Sequence, residues 1–371
     1  MSQLVQFDPK HTDLIADVSF DLYGQRLCTV GSDHIIKIWQ LNGDKNQWQL
    51  TSSWKGHDSS VTKVSWAHPE FGNLIATGSF DRTVKVWQES REDVPQSGLG
   101  GAGLEADANI NPWLLVVSKK DAQGMIVDLG FAPHYVGLQL AVASSDGVIR
   151  IYETGSPVKF DTWTLVSEID INSPPVYAPY LADTKAKAAA PPDLYTTTAM
   201  ASANSICLSW CPSRFLPNMM VVGCGRDKDA KIYRYVGGRW MVYEVLDNHE
   251  DIIHNVSWAP QVGRSYHLIA TASKDHFVRI YRVDYSFGAI DLGDSKDLEE
   301  EYESASASLK LKATLIASFE DHHSEVWSVS WNVTGTILSS SGDDGRVRLW
   351  KATSTGEWRE TETISTDQDP E

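Results

Sequence analysis

Basic residues are scarce in this sequence, since 32 lysines and arginines stand against 49 aspartates and glutamates and give a formal net charge of −17 at pH 7. Sequence-independent binding to nucleic acid, or to an anionic membrane surface, needs a basic protein surface. We therefore expect no direct contact with nucleic acid. Long hydrophobic runs are also missing, so we expect no membrane insertion.

Cysteine is rare as well, with only Cys28, Cys207, Cys211 and Cys224 in the whole chain. The spacing of Cys207 and Cys211 differs from the two-residue gap that is usual in zinc-binding motifs. The first residues, Met1 to Lys10, lack the basic-then-apolar layout of a signal peptide. We interpret the cysteines as core thiols of an intracellular protein and predict no metal, disulfide or cofactor.

What the sequence does contain is a short motif that recurs six times. Each copy has an Asp six residues before a Trp or Tyr, and a Lys or Arg two residues before that aromatic residue. The aspartates of the six copies are Asp33, Asp81, Asp146, Asp227, Asp275 and Asp344. An internal repeat of this kind determines the architecture. The motif resembles the WD repeat of β-propellers, although the Trp-Asp dipeptide is absent from every copy.

One repeat can be divided into four short strands. Alternating or apolar runs are separated by turn residues such as Gly72-Asn73 and Asp81-Arg82. The predicted strands are Thr62 to Trp66, Leu74 to Gly78, Val84 to Trp87 and Trp113 to Val117. Four such strands make one propeller blade. The fold predicted is therefore all-β, a six-bladed WD-repeat β-propeller.

Four repeats carry a histidine before the first strand, and the same four carry a hydroxyl residue four positions before the Asp. This joint occurrence predicts structural tetrads, in which hydrogen bonds link an aromatic residue, a hydroxyl, a histidine and an aspartate. The predicted tetrads are His11, Thr29, Asp33 and Trp39; His57, Thr77, Asp81 and Trp87; His249, Thr271, Asp275 and Tyr281; and His322, Ser340, Asp344 and Trp350. The alternative is that these sets are catalytic, but an active site is normally unique, so we predict no catalytic residues and no enzyme.

The ends of the chain bear on how the ring closes. Trp358 to Ile364 supplies the fourth strand of the last repeat, which leaves no place there for Gln3 to Phe7. We therefore predict an open ring that lacks N-terminal strand exchange, with an unsealed seam between the first and sixth blades. An uncovered apolar face suggests a partner that adds β-strands in trans. The residues predicted near this seam are Leu14, Ile15, Val18 and Phe20, together with Trp327, Val329, Leu349 and Trp350.

The predicted domain layout is an N-terminal segment 1–10, a propeller 11–365 and an acidic tail 366–371. Three insertions, 89–112, 172–204 and 283–310, have little hydrophobic pattern and are predicted to be flexible.

Longer stretches of the sequence are more specific than the repeat. They include Cys207-Leu-Ser-Trp-Cys-Pro-Ser-Arg-Phe215 and Glu325-Val-Trp-Ser-Val-Ser-Trp331, the second of which runs on into Gly335 to Gly345. With Trp163 to Glu168 and His57 to Ser60, they closely resemble the Seh-type nucleoporins, a sister family of the Sec-thirteen coat proteins. The resemblance covers roughly residues 8–365.

This resemblance implies a scaffold subunit of the Y-shaped coat of the nuclear pore complex, at the nuclear envelope. It implies an α-solenoid nucleoporin that completes the propeller with a β-blade, and contacts with other Y-complex nucleoporins. It further implies a place among the subunits of the SEA coat complex at the vacuole or lysosome membrane, which regulates TOR signalling, and a role in protein and mRNA transport. The competing hypothesis from the residues is a peptide-binding WD-repeat adaptor.

Overall fold

The computed structural model describes residues 7–43, 47–90, 112–155, 160, 162–179, 181, 206–216, 218–225, 228–287 and 309–365. These residues form six four-stranded sheets, and every sheet takes its strands in chain order. The fold is therefore all-β, with the six blades of a WD-repeat β-propeller, which confirms the predicted fold class. None of the described helices has the length and apolar character that crossing a membrane requires.

Blades 1 to 3 belong to a first compact unit, residues 1–146 and 150–168. Blade 1 consists of β1 (Ile15–Phe20), β2 (Arg26–Gly31), β3 (Ile35–Asn42) and β4 (Gln47–Lys55). Blade 2 consists of β5 (Val61–Trp66), β6 (Leu74–Ser79), β7 (Val84–Glu89) and β8 (Trp113–Lys119). Blade 3 consists of β9 (Ile126–Phe131), β10 (Gln139–Ser144), β11 (Val148–Thr154) and β12 (Trp163–Asp170). Short 3₁₀ helices, Pro69–Phe71 and His134–Val136, follow β5 and β9.

Blades 4 to 6 belong to a second compact unit, residues 147–149 and 169–371. Blade 4 consists of β13 (Cys207–Trp210), β14 (Met219–Gly223), β15 (Ala230–Val236) and β16 (Arg239–Leu246). Blade 5 consists of β17 (Ile253–Trp258), β18 (His267–Ser273), β19 (Val278–Phe287) and β20 (Leu309–Phe319). Blade 6 consists of β21 (Val326–Trp331), β22 (Ile337–Gly342), β23 (Arg346–Ala352) and β24 (Trp358–Ser365).

The Asp of the repeated motif shapes the turn before the third strand of its blade. Oδ1 of Asp81 accepts a hydrogen bond from the backbone N–H of Thr83 at 2.9 Å, and Asp275 does the same for Phe277 at 3.0 Å. This is the Asx turn that aspartate favours. The residue after the Asp has a positive φ in all six copies, at His34, Arg82, Gly147, Lys228, His276 and Gly345. The recurrence of the Asp is thus explained by the geometry of a repeated tight turn.

Within the first unit, the blades pack face to face through apolar side chains. Alternate residues of blade 1, including Val30 and Ile38, form one buried cluster with Val64 and Ile75 of blade 2. Polar contacts fix the alignment of the sheets, because Trp66 Nε1 donates to the carbonyl oxygen of Ser19 at 2.9 Å.

The second unit uses the same construction. Buried side chains of blades 4 and 5 share one cluster, and those of blades 5 and 6 share another. Trp331 Nε1 donates to the carbonyl oxygen of Ser257 at 3.0 Å, which repeats the contact made by Trp66 in the first unit.

The structure changes the predicted limits of all three insertions, the first of them only because Glu89 belongs to β7. The segment 283–310 is partly sheet, because β19 continues to Phe287 and β20 begins at Leu309. The segment 172–204 also begins in an ordered way, because the backbone around Tyr177 forms a parallel bridge with Val242 of β16. These boundaries are wrong because strand pairing continues beyond the repeated motif. Most of the predicted insertions, 91–111, 182–205 and 288–308, and the tail 366–371 lie outside the described residues.

Candidate functional site

In blade 2 the four residues of the predicted tetrad are joined by hydrogen bonds. Trp87 Nε1 donates to the hydroxyl of Thr77 at 3.0 Å, and this hydroxyl lies 2.8 Å from Nε2 of His57. Nδ1 of His57 lies 3.0 Å from the Asp81 carboxylate. Thr77 and His57 are buried, and both ring nitrogens of His57 have partners. A substrate would not reach this hydroxyl, so the arrangement suits a structural network and not a nucleophile with its base.

Two further tetrads have the same geometry. In blade 1, His11 lies 2.8 Å from Asp33 and 2.9 Å from Thr29, and Trp39 donates to Thr29 at 3.0 Å. In blade 6, His322 lies 3.0 Å from Asp344 and 2.7 Å from Ser340, and Trp350 donates to Ser340 at 2.8 Å.

Blade 5 departs from the prediction at its aromatic residue. His249 lies 2.9 Å from Asp275 and 2.7 Å from Thr271, as predicted. The Tyr281 hydroxyl, however, donates to the carbonyl oxygen of Asp247 and not to Thr271. Placing Tyr281 in the tetrad was therefore wrong. A phenol carries its donor at the tip of a long ring, whereas the indole N–H of Trp lies at the side of its ring, so the two donors reach different acceptors.

Burial sets the charge state of these networks. It lowers the pKa of His57 and of His249, and the neighbouring carboxylates offset this effect only in part. Burial alone would raise the pKa of Asp81, but hydrogen bonds from His57 and Thr83 outweigh burial and hold this pKa below its ordinary range. At neutral pH the sets of blades 2 and 5 therefore contain a neutral imidazole beside an ionised carboxylate.

The basic residue of the motif belongs to the same networks, although the tetrads predicted from the sequence do not include it. Arg279 and Arg348 are buried and pair with the Asp of their own motif, Arg279 with Asp275 at 2.7 Å. Lys85 instead donates to the carbonyl oxygen of Gly56 at 2.8 Å. The signal was present, because a Lys or Arg occupies this position in all six copies.

Blade 3 has no tetrad histidine and builds another polar network. Arg150 lies 3.0 Å from Asp146 and donates to the hydroxyl of Ser144. The Tyr152 hydroxyl donates to Asp121 at 3.0 Å, and burial with this carboxylate raises the pKa of Tyr152. The repeat therefore keeps its Asp and its basic residue where the histidine is absent.

One face of blade 1 is apolar and partly uncovered. Strand alternation places a set of side chains on the face that points away from blade 2, which we call the second face. Its members are Val18, Phe20, Leu27, Thr29, Trp39, Trp48 and Leu50. Val18 and Phe20 are 53% and 56% exposed, and Leu50 is also exposed. Leu14 and Ile15, the other predicted seam residues of this blade, are exposed too.

The described end of the N-terminal segment covers another part of this second face. The ring of Phe7 lies 5.2 Å from Trp39 and 6.2 Å from Trp48, measured between centroids. The ammonium of Lys37 donates to the carbonyl oxygen of Pro9 at 3.3 Å. Phe7 thus packs on blade 1. In the described residues no N-terminal strand joins blade 6, whose fourth strand is β24, but Gln3 to Gln6 lie outside the described part of the chain.

The predicted seam residues of blade 6 do not share a face. Val329 is buried in the cluster that blade 6 forms with blade 5, as is Trp350. Trp327 is exposed, but its ring stacks on His254 of blade 5 at 4.1 Å. Val329 pairs with Ser340 and Trp350 pairs with Leu338, so both lie on the tetrad face of blade 6, which packs on blade 5. Leu349 alone lies on the opposite face.

That opposite face of blade 6 is rich in serine, although Val347 and Ile364 lie on it beside Leu349. Its paired residues are Ser328 with Ser341, Ser330 with Ser339, and Leu349 with Ser339. The prediction of an apolar face therefore fits blade 1 better than blade 6.

All four cysteines are buried, and none of these four forms a disulfide. Burial raises the pKa of Cys211 to about 12, so this thiol stays protonated at neutral pH. Among the described residues, no group of three His, Cys, Asp or Glu side chains is placed to hold a metal ion.

The repeat family described as WD domain, G-beta repeat matches residues 2–40, 48–88 and 313–351. These matches contain the complete tetrads of blades 1, 2 and 6, but they do not reach the set from His249 to Tyr281 in blade 5, where Tyr281 departs from the pattern.

Whole-length relatives are also found. The chain is 36% identical to Nucleoporin SEH1 of Saccharomyces cerevisiae, over 98% of the chain and 99% of the yeast protein. It is 35% identical to Nucleoporin seh1 of Schizosaccharomyces pombe, over 97% of the chain and 96% of that protein. It is 34% identical to Nucleoporin SEH1 of Homo sapiens, over 94% of the chain and 84% of the human protein. The similarity therefore extends through all six blades.

Proposed function

Because the chain belongs to the nucleoporin SEH1 family of WD-repeat proteins, we propose that it is a structural scaffold subunit of the nuclear pore complex. Its place would be at the nuclear envelope, in association with other nucleoporins. Support comes from relatives that match nearly the full length of the chain in two yeasts and in human.

We propose that its direct partner in the Y-shaped coat is an α-solenoid nucleoporin that supplies a β-blade in trans. The observation that carries this proposal is the second face of blade 1. Elsewhere in this unit the faces of neighbouring sheets bury each other, whereas Val18, Phe20 and Leu50 remain exposed on this one. Clustered exposed apolar side chains on one sheet face mark a protein interface. A sheet of matching twist would cover such a face as the neighbouring blades cover theirs.

The role proposed is non-catalytic. The His, hydroxyl and Asp sets that resemble catalytic constellations occur in four blades and bury their hydroxyl and imidazole groups. A unique accessible nucleophile is what an enzyme would need.

The test replaces the exposed side chains of the second face by polar ones. Val18→Ser combined with Phe20→Ser removes apolar area that the partner would bury, worth about 2–3 kcal/mol for two half-buried side chains. We expect the affinity for the α-solenoid nucleoporin to fall more than tenfold in calorimetry or in co-elution during size-exclusion chromatography. The nuclear-rim signal of a fluorescent fusion should weaken in parallel.

A matched control comes from β8 of blade 2. Leu114 and Leu115 are exposed to a similar degree, so Leu114→Ser with Leu115→Ser makes the same polar change elsewhere in the unit. This control should keep partner affinity within twofold, and both double variants should keep the melting temperature of the isolated chain. Equal affinities of the two double variants for the partner would refute the docking face and favour the peptide-binding adaptor.

The resemblance to Seh-type nucleoporins supports two finer proposals. The chain would also be a subunit of the SEA coat complex at the vacuole periphery, where it would affect TOR signalling, and it would support protein and mRNA transport through the pore. Proximity labelling in cells, followed by mass spectrometry, tests both. Labelled proteins confined to the nuclear envelope would reject the vacuolar role.

A further inference from the structure

A cavity of about 370 Å³ lies between blades 5 and 6 of the second unit. Its wall is built from three connections and from strands β18, β19, β20, β23 and β24. Arg264 comes from the β17–β18 connection, Gly335 from the β21–β22 turn and Gly356 from the β23–β24 turn, while Arg282 and Ile316 come from β19 and β20. The volume falls within the range of about 300–1,000 Å³ that is usual for ligand sites.

The charge of this cavity is opposite to that of the protein. Arg264, Arg282 and Lys351 line it, and no Asp or Glu is among the described residues of its lining. Asp284 neutralises Arg282, so Arg264 and Lys351 give this cavity its positive charge, in a chain whose net charge is −17. A concave site with one sign of charge attracts ligands of the other sign.

Arg264 is held rigidly at this site. Its Nη1 donates to the carbonyl oxygen of Gly335 at 2.7 Å, and its Nη2 donates to that of Pro260 at 2.6 Å. Gly335 has φ +63°, and a Cβ there would lie 2.4 Å from the Pro260 oxygen, so only glycine allows this approach. The buried Nε of Arg264 has no hydrogen-bond partner among the described residues, and burial lowers the pKa of this guanidinium. A negative group nearby would compensate for that burial.

The remaining wall is apolar and aromatic. Arg282 lies over the ring of Tyr266 at 4.2 Å and pairs with Asp284 at 2.8 Å, which fixes its guanidinium against the cavity wall. Ile316 and Trp358 complete the lining. A ligand that fills this space has to bring apolar surface as well as negative charge, which a bare phosphate or a polyphosphate headgroup would not do.

We propose that this cavity binds a short acidic peptide segment in which an Asp or Glu neighbours an apolar side chain. The carboxylate would face Arg264 and Lys351, and the apolar side chain would lie against Ile316 and Trp358. The site is separate from the second face of blade 1, and its test does not depend on the nucleoporin partner.

The probe is a displayed library of random peptides, selected on the full chain and counter-selected on a variant. That variant combines Lys351→Glu with Ile316→Ser, which reverses one charge of the cavity and removes one apolar wall. We expect peptides specific to the unmodified chain to be enriched in Asp or Glu beside an apolar residue. Failure to enrich peptides specific to the unmodified chain, or enrichment of peptides without acidic residues, would overturn the proposal.

The most enriched peptide is then measured by fluorescence anisotropy. Each of Lys351→Glu and Ile316→Ser should weaken its binding about fivefold or more. Leu315→Ser is the matched control for Ile316→Ser, because Leu315 is 39% exposed against 40% for Ile316 and does not line the cavity. Lys310→Glu is the matched control for the charge reversal, since Lys310 is exposed like Lys351 but does not line the cavity. Both controls should stay within twofold.

Two competitions complete the test. Raising the salt from about 0.1 M to about 1 M shortens the Debye length from about 10 Å to 3 Å and should weaken binding clearly. Inorganic phosphate should compete no better than chloride at equal ionic strength. Displacement of the peptide by phosphate alone, or equal loss of affinity in the control variants, would overturn the assignment of the site.

Discussion

The difference between Trp87 and Tyr281 leads to a prediction about the hydroxyl that links each tetrad. In blade 2, Thr77 accepts a hydrogen bond from Trp87 and meets the imidazole of His57. Thr77→Val keeps the shape and removes the hydroxyl, so two buried polar groups lose a partner. Each orphaned group costs about 1–3 kcal/mol. We therefore expect Thr77→Val to lower the free energy of unfolding by about 2–6 kcal/mol.

The same change in blade 5 should cost less. Thr271 is as buried as Thr77 and meets His249, but Tyr281 donates its hydroxyl to a backbone carbonyl instead. Thr271→Val thus orphans only the imidazole, and we expect a loss of about 1–3 kcal/mol. Thr29→Val in blade 1 provides a repeat of the larger effect, because Trp39 donates to Thr29.

Equilibrium unfolding in urea measures these losses of stability. For each variant, the loss is calculated from the shift of the unfolding transition that the substitution affects. The losses in Thr77→Val and Thr29→Val should exceed the loss in Thr271→Val by about 1–3 kcal/mol, which is the cost of one additional orphaned donor. Equal losses in all three variants would show that the indole hydrogen bond contributes nothing, and the hydrogen-bond chain would not explain the motif.

Two further predictions concern other buried groups. Burial lowers the pKa of His267 from 6.5 to about 4, so as the pH falls the unfolded chain binds a proton at this residue before the folded chain does. About 3 kcal/mol of stability, fully present above pH 6.5, should therefore be lost toward pH 4, and in His267→Phe the urea midpoint should change less across this pH range. Arg26 forms a bidentate ion pair with Glu89, at 2.9 and 2.6 Å, and lies over Trp66, so Arg26→Lys should lower the free energy of unfolding in urea by about 1 kcal/mol. Lys55 forms an exposed ion pair with Asp58 at 3.8 Å, so the control Lys55→Arg should change this free energy by less than about 0.5 kcal/mol.

The blades could be predicted from the sequence because each position of the motif has a local cause. The Asp makes the turn, the residue after it takes a positive φ, and the alternating apolar residues fill both neighbouring interfaces. Such causes act within a few residues and therefore leave a repeated pattern. Whether the aromatic residue joins the tetrad depends instead on whether its N–H or O–H donor reaches the hydroxyl of the Thr or Ser. For that reason Trp87 fitted the prediction and Tyr281 did not.

The partner face could be predicted only in part. Val18 and Phe20 lie on an exposed face because β1 alternates regularly from Asp17 onward, as the pattern suggested. Val329 holds the corresponding position in β21, since it pairs with Ser340 as Val18 pairs with Thr29, but this face of blade 6 packs on blade 5. The sequence pattern marks the two faces of a blade, but it does not say which of them another blade covers. A cavity is harder to predict from the sequence than an exposed face, because its residues come from distant parts of the chain. Arg264, Arg282 and Lys351 are an example.

Blade 3 shows why the stabilising networks and the binding surfaces follow different rules. It replaces the tetrad by a Ser144, Asp146 and Arg150 network, and the blade still packs on blade 2. A buried polar network needs only to have all of its members satisfied, so several sets of residues serve equally well. A surface that receives another molecule has to match that molecule in shape and charge. The features that distinguish this chain from other WD-repeat proteins should therefore lie on surfaces that no neighbouring blade covers. These are the second face of blade 1 and the cationic cavity between blades 5 and 6.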